Sequence, residues 1–338
     1  MKGTFIQGKL RMKRIAVIGA GAWGTALALH AARAGSEVHL WARNPSAQLA
    51  SGAMPRLSAF PLPATIKVTD EFLPQADMTL VAVPMKHLAS VLAQLETTSP
   101  LVLCCKGVKP DSLHFPLDIL AAIRPGYAGA VLSGPNFAHE VAAGLPAAAV
   151  IAARQDGLAR SLADMLGTPA FRLYDSTDTL GVQLGGAAKN VIAIAAGVTI
   201  GAGLGENARA ALVTRGLAEI SRLALALGGE AATVSGLSGM GDLLLTCTGT
   251  SSRNFRVGRA LGEGLLPAEA EAAAGGVAEG VATSQALTEL ARRSQVSVPV
   301  MDAVAAIVTG RVLLKDVIEE LLARPLGPEH KVPDAFSR

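Results

Sequence analysis

The feature that most constrains the fold is a glycine motif, Gly19-x-Gly21-x-x-Gly24, between two runs of different periodicity. Residues 15–18 before it are apolar and rich in β-branched side chains, whereas residues 25–34 after it are rich in alanine and leucine. The order is therefore strand, tight turn and helix, and the glycine spacing is typical of a dinucleotide-binding turn. Gly19 permits the turn, Gly21 lets a pyrophosphate approach the backbone, and Gly24 lets the helix pack on the strand.

A second strand, predicted at residues 37–41, completes a β-α-β unit. This context favours dinucleotide binding over a glycine turn used only for packing. It also argues against a signal peptide, because glycines interrupt the apolar run. Arg43 follows the second strand, where a strict NAD site usually has Asp or Glu on the ribose 2′-hydroxyl. An arginine could contact a 2′-phosphate, which indicates that NADP is accepted as well as NAD; alternatively, Arg43 is a solvated loop residue.

Length and composition indicate two domains with a core of small side chains. The chain has 338 residues, which is more than one ordinary domain needs. Half of the residues are hydrophobic but only 4% are aromatic, so the core must consist of alanine, valine, leucine and isoleucine. The longest uncharged run, residues 191–205, contains glycines and is shorter than the roughly 20 residues of a membrane span. No membrane span is therefore expected.

Charge and cysteine content argue against several functions. The formal net charge is only +3, and no basic cluster with interleaved aromatic residues suggests nucleic-acid binding. The three cysteines, Cys104, Cys105 and Cys247, are an odd number, which argues against a disulfide framework and favours a reducing cytoplasm. No pair of cysteines or histidines has the spacing of metal ligands, so no metal site is expected.

The order of periodic segments predicts an α/β fold, with an N-terminal Rossmann-type doubly wound sheet followed by an all-α C-terminal domain. Further apolar runs typical of strands lie at 78–83, 101–105, 130–133, 147–153 and 171–174. After residue 178 the periodicity becomes helical. The predicted divisions are a flexible extension at 1–12 (or sequence upstream of a start at Met12), a dinucleotide-binding domain at 13–180, a helical substrate domain at 181–330 and a tail at 331–338.

Polar residues follow two of the predicted strands, where ligands of open α/β sheets bind. Lys106 follows the run at 101–105, so it could face the phosphates of a cofactor or substrate, or it could be an ordinary exposed lysine. Gly134 and Asn136 follow the run at 130–133. They could bring backbone and amide groups into the same cleft, or they could form a structural turn only.

Lys189 is the main candidate for acid–base chemistry. It lies in a helix predicted at 182–196, surrounded by glycine, alanine and larger apolar residues. A desolvated lysine has a lowered pKa, which suits proton transfer; the alternatives are a lysine that reaches solvent or joins a buried salt bridge. Asp242 follows the glycine-rich turn at 236–241. It could orient Lys189, or it could only cap the next turn.

Ser252, Arg253 and Asn254 form a candidate phosphate site. They begin a helix predicted to run to residue 261, with a serine as its N-cap. A helix N-terminus, a guanidinium group and two neutral donors together suit a phosphate. The simpler alternative is a helix cap followed by a surface arginine.

Taken together, these motifs resemble the bacterial NAD(P)-dependent glycerol-3-phosphate dehydrogenase family. The resemblance is carried by six segments, at residues 19–28, 133–138, 181–195, 207–216, 239–243 and 252–254. These segments occur in the family's order over roughly residues 13–325, and their joint match is highly specific. One departure is Asn136, which stands where many members have Ser or Thr.

The resemblance implies reversible NADPH- or NADH-dependent reduction of dihydroxyacetone phosphate to sn-glycerol 3-phosphate, for glycerophospholipid synthesis. Lys189 and Asp242 would be the catalytic residues, with Lys189 exchanging the proton. The implied substrate contacts are Lys106, Gly134, Asn136, Lys189, Asp242, Ser252, Arg253 and Asn254. The implied cofactor contacts are Gly19, Gly21, Ala22, Trp23, Gly24, Arg43, Lys106, Ala138, Arg253, Val277 and Glu279. A cytoplasmic homodimer is also implied.

Two other functions stay open at this point. One is a reductase with the same two-domain plan that acts on a hydroxy acid. The other is a cofactor-sensing protein without catalysis. Arg253 and the Lys189-Asn190 context favour a phosphorylated substrate, and a sensor would need no proton donor.

Overall fold

The computed structural model describes residues 12–45, 52–275 and 278–323. Its N-terminal half is built on a sheet of eight strands in the order β3-β2-β1-β4-β5-β6-β7-β8. Their bounds are β1 Arg14–Ile18, β2 Glu37–Trp41, β3 Ile66–Thr69, β4 Met78–Val81, β5 Leu101–Leu103, β6 Gly129–Ser133, β7 Ala147–Ala153 and β8 Phe171–Ser176. All neighbours pair in parallel except β6 and β7, so β7 and β8 run opposite to the rest of the sheet.

Helices cover both faces of this sheet. Their bounds are α1 Ala22–Arg33, α2 Met85–Gln94, α3 Pro116–Ile123, α4 Ala138–Ala143 and α5 Leu158–Leu166. Residues of α1, α4 and α5 share one apolar core with the sheet, and residues of α2 and α3 share another. The central strands β4 and β5 are fully buried, as expected for parallel strands covered on both sides. The strand order reverses at β1 and β4, which opens a crevice at their carboxyl ends.

The C-terminal half is helical and is organised around one long helix, α6. The bounds are α6 Thr179–Gly201, α7 Gly205–Ala226, α8 Ala231–Ser235, α9 Asp242–Cys247, α10 Arg253–Gly262, α11 Pro267–Ala273, α12 Glu279–Arg293, α13 Pro299–Val308 and α14 Leu314–Leu322. Among the described residues, α6 alone is long and apolar enough to cross a membrane, yet 83% of its most apolar window is buried in the protein. It is therefore the core helix of this half.

The contact between α6 and α10 depends on glycine. A Cβ placed on Gly197 would overlap the carbonyl oxygen of Phe255, and one on Gly258 would overlap that of Ile194. The two backbones therefore touch directly, without intervening side chains. This close approach fixes the position of α10 relative to the middle of α6.

The strands and helices that the sequence predicts are present in the structure, but several further elements were not predicted. The edge strand β3 was not predicted; it has four residues, too few to show alternation. Helices α3 and α11 each begin with proline at the first turn, a position compatible with a helix, and were not predicted. Helix α14 was also missed. The strands predicted to end at residues 83 and 105 end at Val81 and Leu103.

The division at residue 180 stays a prediction. Strand β8 ends at Ser176 and α6 begins at Thr179, so the change from strand to helix falls beside the proposed boundary. The tail at 331–338 and residues 1–11 of the proposed extension lie outside the described residues.

The three glycines of the dinucleotide motif have different surroundings. Gly19 has φ +111°, and a Cβ on it would lie 2.8 Å from the carbonyl oxygen of Ala82. A Cβ on Gly24 would overlap the carbonyl oxygen of Gly19. A Cβ on Gly21, in contrast, would have no atom of the described residues within 4 Å. Gly19 and Gly24 are thus needed for packing, whereas Gly21 borders open space.

This difference predicts opposite effects of two alanine substitutions on stability. Gly24→Ala should lower the free energy of unfolding by about 3 kcal/mol, because the added methyl collides with backbone and not with a flexible side chain. Gly21→Ala is the matched control and should leave stability unchanged or raise it by up to about 1 kcal/mol. Denaturant unfolding of both variants measures the difference. Equal destabilisation by the two would contradict this account of Gly24.

Candidate active site

The predicted catalytic residues meet where the carboxyl edge of the sheet contacts α6. Lys106 follows β5, and Gly134 follows β6. Lys189 lies near the middle of α6, and Asp242 is the first residue of α9. The sequence placed Asp242 in a loop, but the preceding glycine-rich segment Leu237–Gly241 forms a π-helical turn that continues into α9. Burial of this segment against α6 overrides the loop preference of its glycines.

The carboxylate of Asp242 lies between two ammonium groups. Its Oδ2 accepts a hydrogen bond from Lys106 Nζ at 2.5 Å, and its Oδ1 accepts one from Lys189 Nζ at 2.6 Å. Lys106 Nζ also donates to the carbonyl oxygen of Gly134 at 3.2 Å. Asp242 is completely buried, whereas the side chains of Lys106 and Lys189 are 18% and 12% exposed. The arrangement therefore presents two ammonium groups at the margin of the cleft.

Thr246 completes the environment of Lys189 and was missed by the sequence analysis. Lys189 Nζ donates to Thr246 Oγ1 at 2.9 Å, and this hydroxyl donates in turn to the carbonyl oxygen of Asp242 at 2.6 Å. Asp242 and Thr246 are one turn apart on α9, so they face the same side. The spacing Asp-x-x-x-Thr was the available signal, but it carries weight only once a helix is expected there.

The pKa of the Lys189 ammonium is lowered to about 8. Burial is the main cause, because it disfavours the charged form. The nearby Asp242 carboxylate raises the pKa, whereas the Lys106 ammonium lowers it further. A lysine with this pKa can release and regain a proton near neutral pH.

Glu279 brings a second carboxylate to the same region. It begins α12, near the backbone N–H of Met85 at the start of α2, which favours its charged form. Burial raises the pKa of Glu279, while the Met85 N–H and the cationic groups of Lys106, Lys189 and Arg253 oppose this rise. Glu279 therefore links the helical half to the β4–α2 connection beside the crevice. Its predicted neighbour in cofactor binding, Val277, lies outside the described residues.

The polar residues at the start of α10 differ in burial and in their hydrogen-bond partners. Ser252 is the N-cap, and its Oγ accepts from the backbone N–H of Phe255 at 3.2 Å. Asn254 is buried: its Nδ2 donates to Asn190 Oδ1 at 2.9 Å, and its Oδ1 accepts from the N–H of Gly280 at 3.0 Å. Arg253 is exposed at the helix N-terminus. Asn254 thus joins α6, α10 and α12 beside Lys189, which sequence reasoning did not anticipate.

The remaining predicted contacts follow the carboxyl ends of β1, β2 and β6. Ala22 and Trp23 form the first turn of α1 after Gly21, and Ala138 begins α4. Asn136 donates from Nδ2 to the carbonyl oxygen of Ala148 at 3.3 Å, and its buried Oδ1 has no partner among the described residues. Arg43 is exposed after β2, three strands from β5 and hence about 14 Å away at about 4.8 Å per strand.

The residues present at the crevice fit a dinucleotide. Open space at Gly21 lets a pyrophosphate approach the backbone at the N-terminus of α1, where free N–H groups point outward. The separation between Arg43 and Lys106 suits an extended ligand with its adenosine end at β2 and its reactive end at β5. Within the described residues no group of three His, Cys, Asp or Glu side chains could hold a metal ion.

Comparisons with known proteins decide the family. The sequence profile of the NAD-dependent glycerol-3-phosphate dehydrogenase N-terminus matches residues 14–159, and that of the C-terminus matches residues 178–319. The chain is 51% identical over 315 residues to the glycerol-3-phosphate dehydrogenase (NAD(P)+) of Gluconobacter oxydans, covering 92% of this chain and 97% of the relative. It is 46% identical over 330 residues to that of Caulobacter vibrioides, covering 95% and 100%. The chain belongs to the NAD-dependent glycerol-3-phosphate dehydrogenase family.

A solved structure supports the same assignment. The glycerol-3-phosphate dehydrogenase of Coxiella burnetii has a TM-score of 0.87 to this chain at 37% identity, covering 93% of this chain and 99% of that one. Family membership confirms the predicted fold class and the interpretation as an NAD(P)-dependent glycerol-3-phosphate dehydrogenase. The roles given to individual residues stay predictions.

The surroundings of Lys189 predict how its pKa responds to two substitutions. Asp242→Asn removes the charge that raises it, so the pKa should fall below 8. Lys106→Met removes a charge that lowers it, so the pKa should rise. NMR titration of the lysine side chains in the parent and both variants measures these shifts. Shifts of the same sign in the two variants would contradict the assigned causes.

Proposed function

We propose that this dehydrogenase reduces dihydroxyacetone phosphate to sn-glycerol 3-phosphate, with Lys189 as the proton donor and Asp242 as the residue that orients it. The observation that carries the proposal is the buried carboxylate of Asp242 between the ammonium groups of Lys106 and Lys189, in which Lys189 has a pKa of about 8. A sensor that only binds a cofactor transfers no proton and therefore does not need a lysine with a lowered pKa.

The proposed chemistry follows from the needs of carbonyl reduction. The bound nicotinamide would supply the hydride to the carbonyl carbon. Negative charge then develops on the carbonyl oxygen, where the Lys189 ammonium stabilises it and transfers a proton to it. Asp242 and Thr246 each accept one hydrogen bond from Lys189 Nζ, at 2.6 and 2.9 Å. The third N–H of the ammonium group can therefore face the substrate. In the reverse direction neutral Lys189 would take the proton from the alcohol.

The balance of charge supports a phosphorylated substrate. Lys106, Lys189 and Arg253 are cationic, and all three act on Glu279. Two carboxylates, Asp242 and Glu279, offset them only in part, and burial favours the neutral form of Glu279. The cleft is therefore net positive and suits a phosphate dianion better than the single carboxylate of a hydroxy acid. Arg253, exposed at the N-terminus of α10, is the proposed phosphate anchor.

A direct test combines three substrates with one substitution. The purified protein should oxidise NADPH with dihydroxyacetone phosphate, and much more slowly with dihydroxyacetone or a 2-oxo acid. Lys189→Met removes the charge at similar length, so kcat should fall roughly 100-fold or more while NADPH binding stays near normal. Cofactor oxidation and NADPH fluorescence measure the two effects. Equal rates with dihydroxyacetone would remove the phosphate argument, and a near-parental kcat in a folded Lys189→Met protein would exclude its proton role.

Cofactor choice is proposed to depend on Arg43. Its guanidinium can contact the 2′-phosphate of NADPH, which NADH lacks. Arg43→Asp should therefore raise KM for NADPH roughly tenfold or more, equivalent to about 1.4 kcal/mol, while changing KM for NADH little. Steady-state kinetics with both cofactors in parent and variant gives the ratio. An equal loss for both cofactors would show that Arg43 does not distinguish them.

We further propose that the enzyme is a cytoplasmic homodimer that supplies glycerophospholipid synthesis. The family resemblance supports this assembly and purpose. The three free thiols are compatible with a reducing compartment. The burial of α6 within the helical core accounts for its apolar length without a membrane.

A further inference from the structure

One arginine next to the proposed substrate anchor has no role in the chemistry described so far. Arg256 lies on α10, one turn after Ser252, and its side chain is half-buried. Its Nη1 donates to the carbonyl oxygen of Thr250 at 2.7 Å and approaches that of Ser251 at 3.5 Å. Its Nη2 donates to the carbonyl oxygen of Ala274 at 3.0 Å. A single guanidinium group thus joins two separate connections of the helical half.

The first of these connections leads to the proposed phosphate anchor. Thr250 and Ser251 lie between the end of α9 and the start of α10. The chain then enters α10 at Ser252, and Arg253 is the first helical residue. Because Arg256 holds the carbonyl groups just before this turn, it fixes the path by which the chain enters α10 immediately before Arg253.

The second connection leads to the proposed cofactor carboxylate. Ala274 is the C-cap of α11 and is buried. Beyond Gly275, the described residues resume at Ala278, the N-cap of α12, whose first residue is Glu279. The far end of this connection is also tied to α10, because the N–H of Gly280 donates to Asn254 Oδ1. Helix α10 therefore holds the described ends of the connection on both sides, through Arg256 at Ala274 and Asn254 at Gly280.

The chemistry of arginine suits such a bridge. A guanidinium is planar and carries its donors at fixed angles, so it can hold two carbonyl groups at a set separation. A lysine has one ammonium on a flexible stem and would not fix the two connections in the same geometry. The neighbouring Arg259, one turn further along α10, makes no such bridge: its Nε donates to the exposed carboxylate of Glu263, the C-cap residue of the same helix.

We propose that Arg256 is a positioning residue that couples substrate binding to cofactor binding. By joining the connection before Arg253 to the connection before Glu279, it makes the placement of the phosphate anchor depend on the placement of the cofactor carboxylate. Each ligand then favours the arrangement that binds the other, and the coupling is reciprocal. This inference rests on the proposed function for the identity of the substrate, but the coupling itself is a property of the two binding sites.

The decisive measurement is the affinity for NADPH with and without sn-glycerol 3-phosphate, a pair that cannot react with each other. Fluorescence of NADPH gives both dissociation constants without turnover. In the parent protein, saturating sn-glycerol 3-phosphate should tighten NADPH binding about fivefold or more, the usual lower range for coupled sites. In Arg256→Met the ratio should fall below about twofold. Arg259→Met is the matched control and should keep the parental ratio.

Kinetics provide a second readout that general loss of stability would not reproduce. In Arg256→Met, KM for dihydroxyacetone phosphate and KM for NADPH should both rise about fivefold, while kcat with both saturating stays within about twofold of the parent. The lysines at the reaction centre do not contact Arg256, so the chemical step should be preserved. Arg256→Lys can keep one carbonyl contact and should recover at most one of the two KM values.

The outcomes separate this proposal from the proposed function. A parent protein that binds both ligands with coupling but does not reduce dihydroxyacetone phosphate would contradict the function alone. A parental coupling ratio in folded Arg256→Met, or no coupling in the parent, would overturn the role of Arg256. If Arg256→Met melts below the assay temperature, Arg256→Lys decides: an unchanged coupling ratio there, or failure of both variants to fold, would make Arg256 a stabilising residue only.

Discussion

The site depends on one buried carboxylate held between two ammonium groups. Asp242 is shielded from water, so its charge is tolerable only because Lys106 and Lys189 each donate a hydrogen bond to a different oxygen. Removing one partner of a buried ion pair typically costs about 3–5 kcal/mol. Lys106 comes from the connection after β5, Lys189 from α6 and Asp242 from α9. The same contacts that tune the proposed acid therefore hold the two halves of the protein together.

The rest of the architecture keeps these three elements at the required distance. Small residues allow this close packing, because α6 contacts its neighbours through glycine. A Cβ on Gly186 would lie 2.6 Å from Ser133 Oγ and 3.5 Å from the side chain of Lys106, and one on Gly185 would lie 2.8 Å from the carbonyl oxygen of Ser238. One face of α6 is thus pressed against β6 and the turn before α9. The high glycine and alanine content of the chain serves this close packing.

The sequence allowed the fold class and the main reactive residues to be predicted, because both leave local signals. The glycine motif has a fixed spacing, and Lys189 stands out as a charge in an apolar helix. Thr246 and Asn190 could not be found in this way, since their partners Lys189 and Asn254 are distant in sequence. Helix α9 was missed because glycines before Asp242 indicate a loop unless the burial of the turn is known. The structure also assigns Asn254 contacts between helices that composition alone does not suggest.

The reversal of β7 and β8 sets where the reactive lysine must occur along its helix. Because β8 runs against β6, it delivers the chain to the edge of the sheet opposite the crevice, and α6 starts there. Ten residues separate Thr179 from Lys189, about 15 Å at about 1.5 Å per helical residue. That nearly equals the length of the five-residue strand β6, about 17 Å at about 3.3 Å per residue. The first half of α6 is thus a spacer matched to the depth of the sheet, and adding or deleting a residue in it would rotate Lys189 by about 100° away from Asp242.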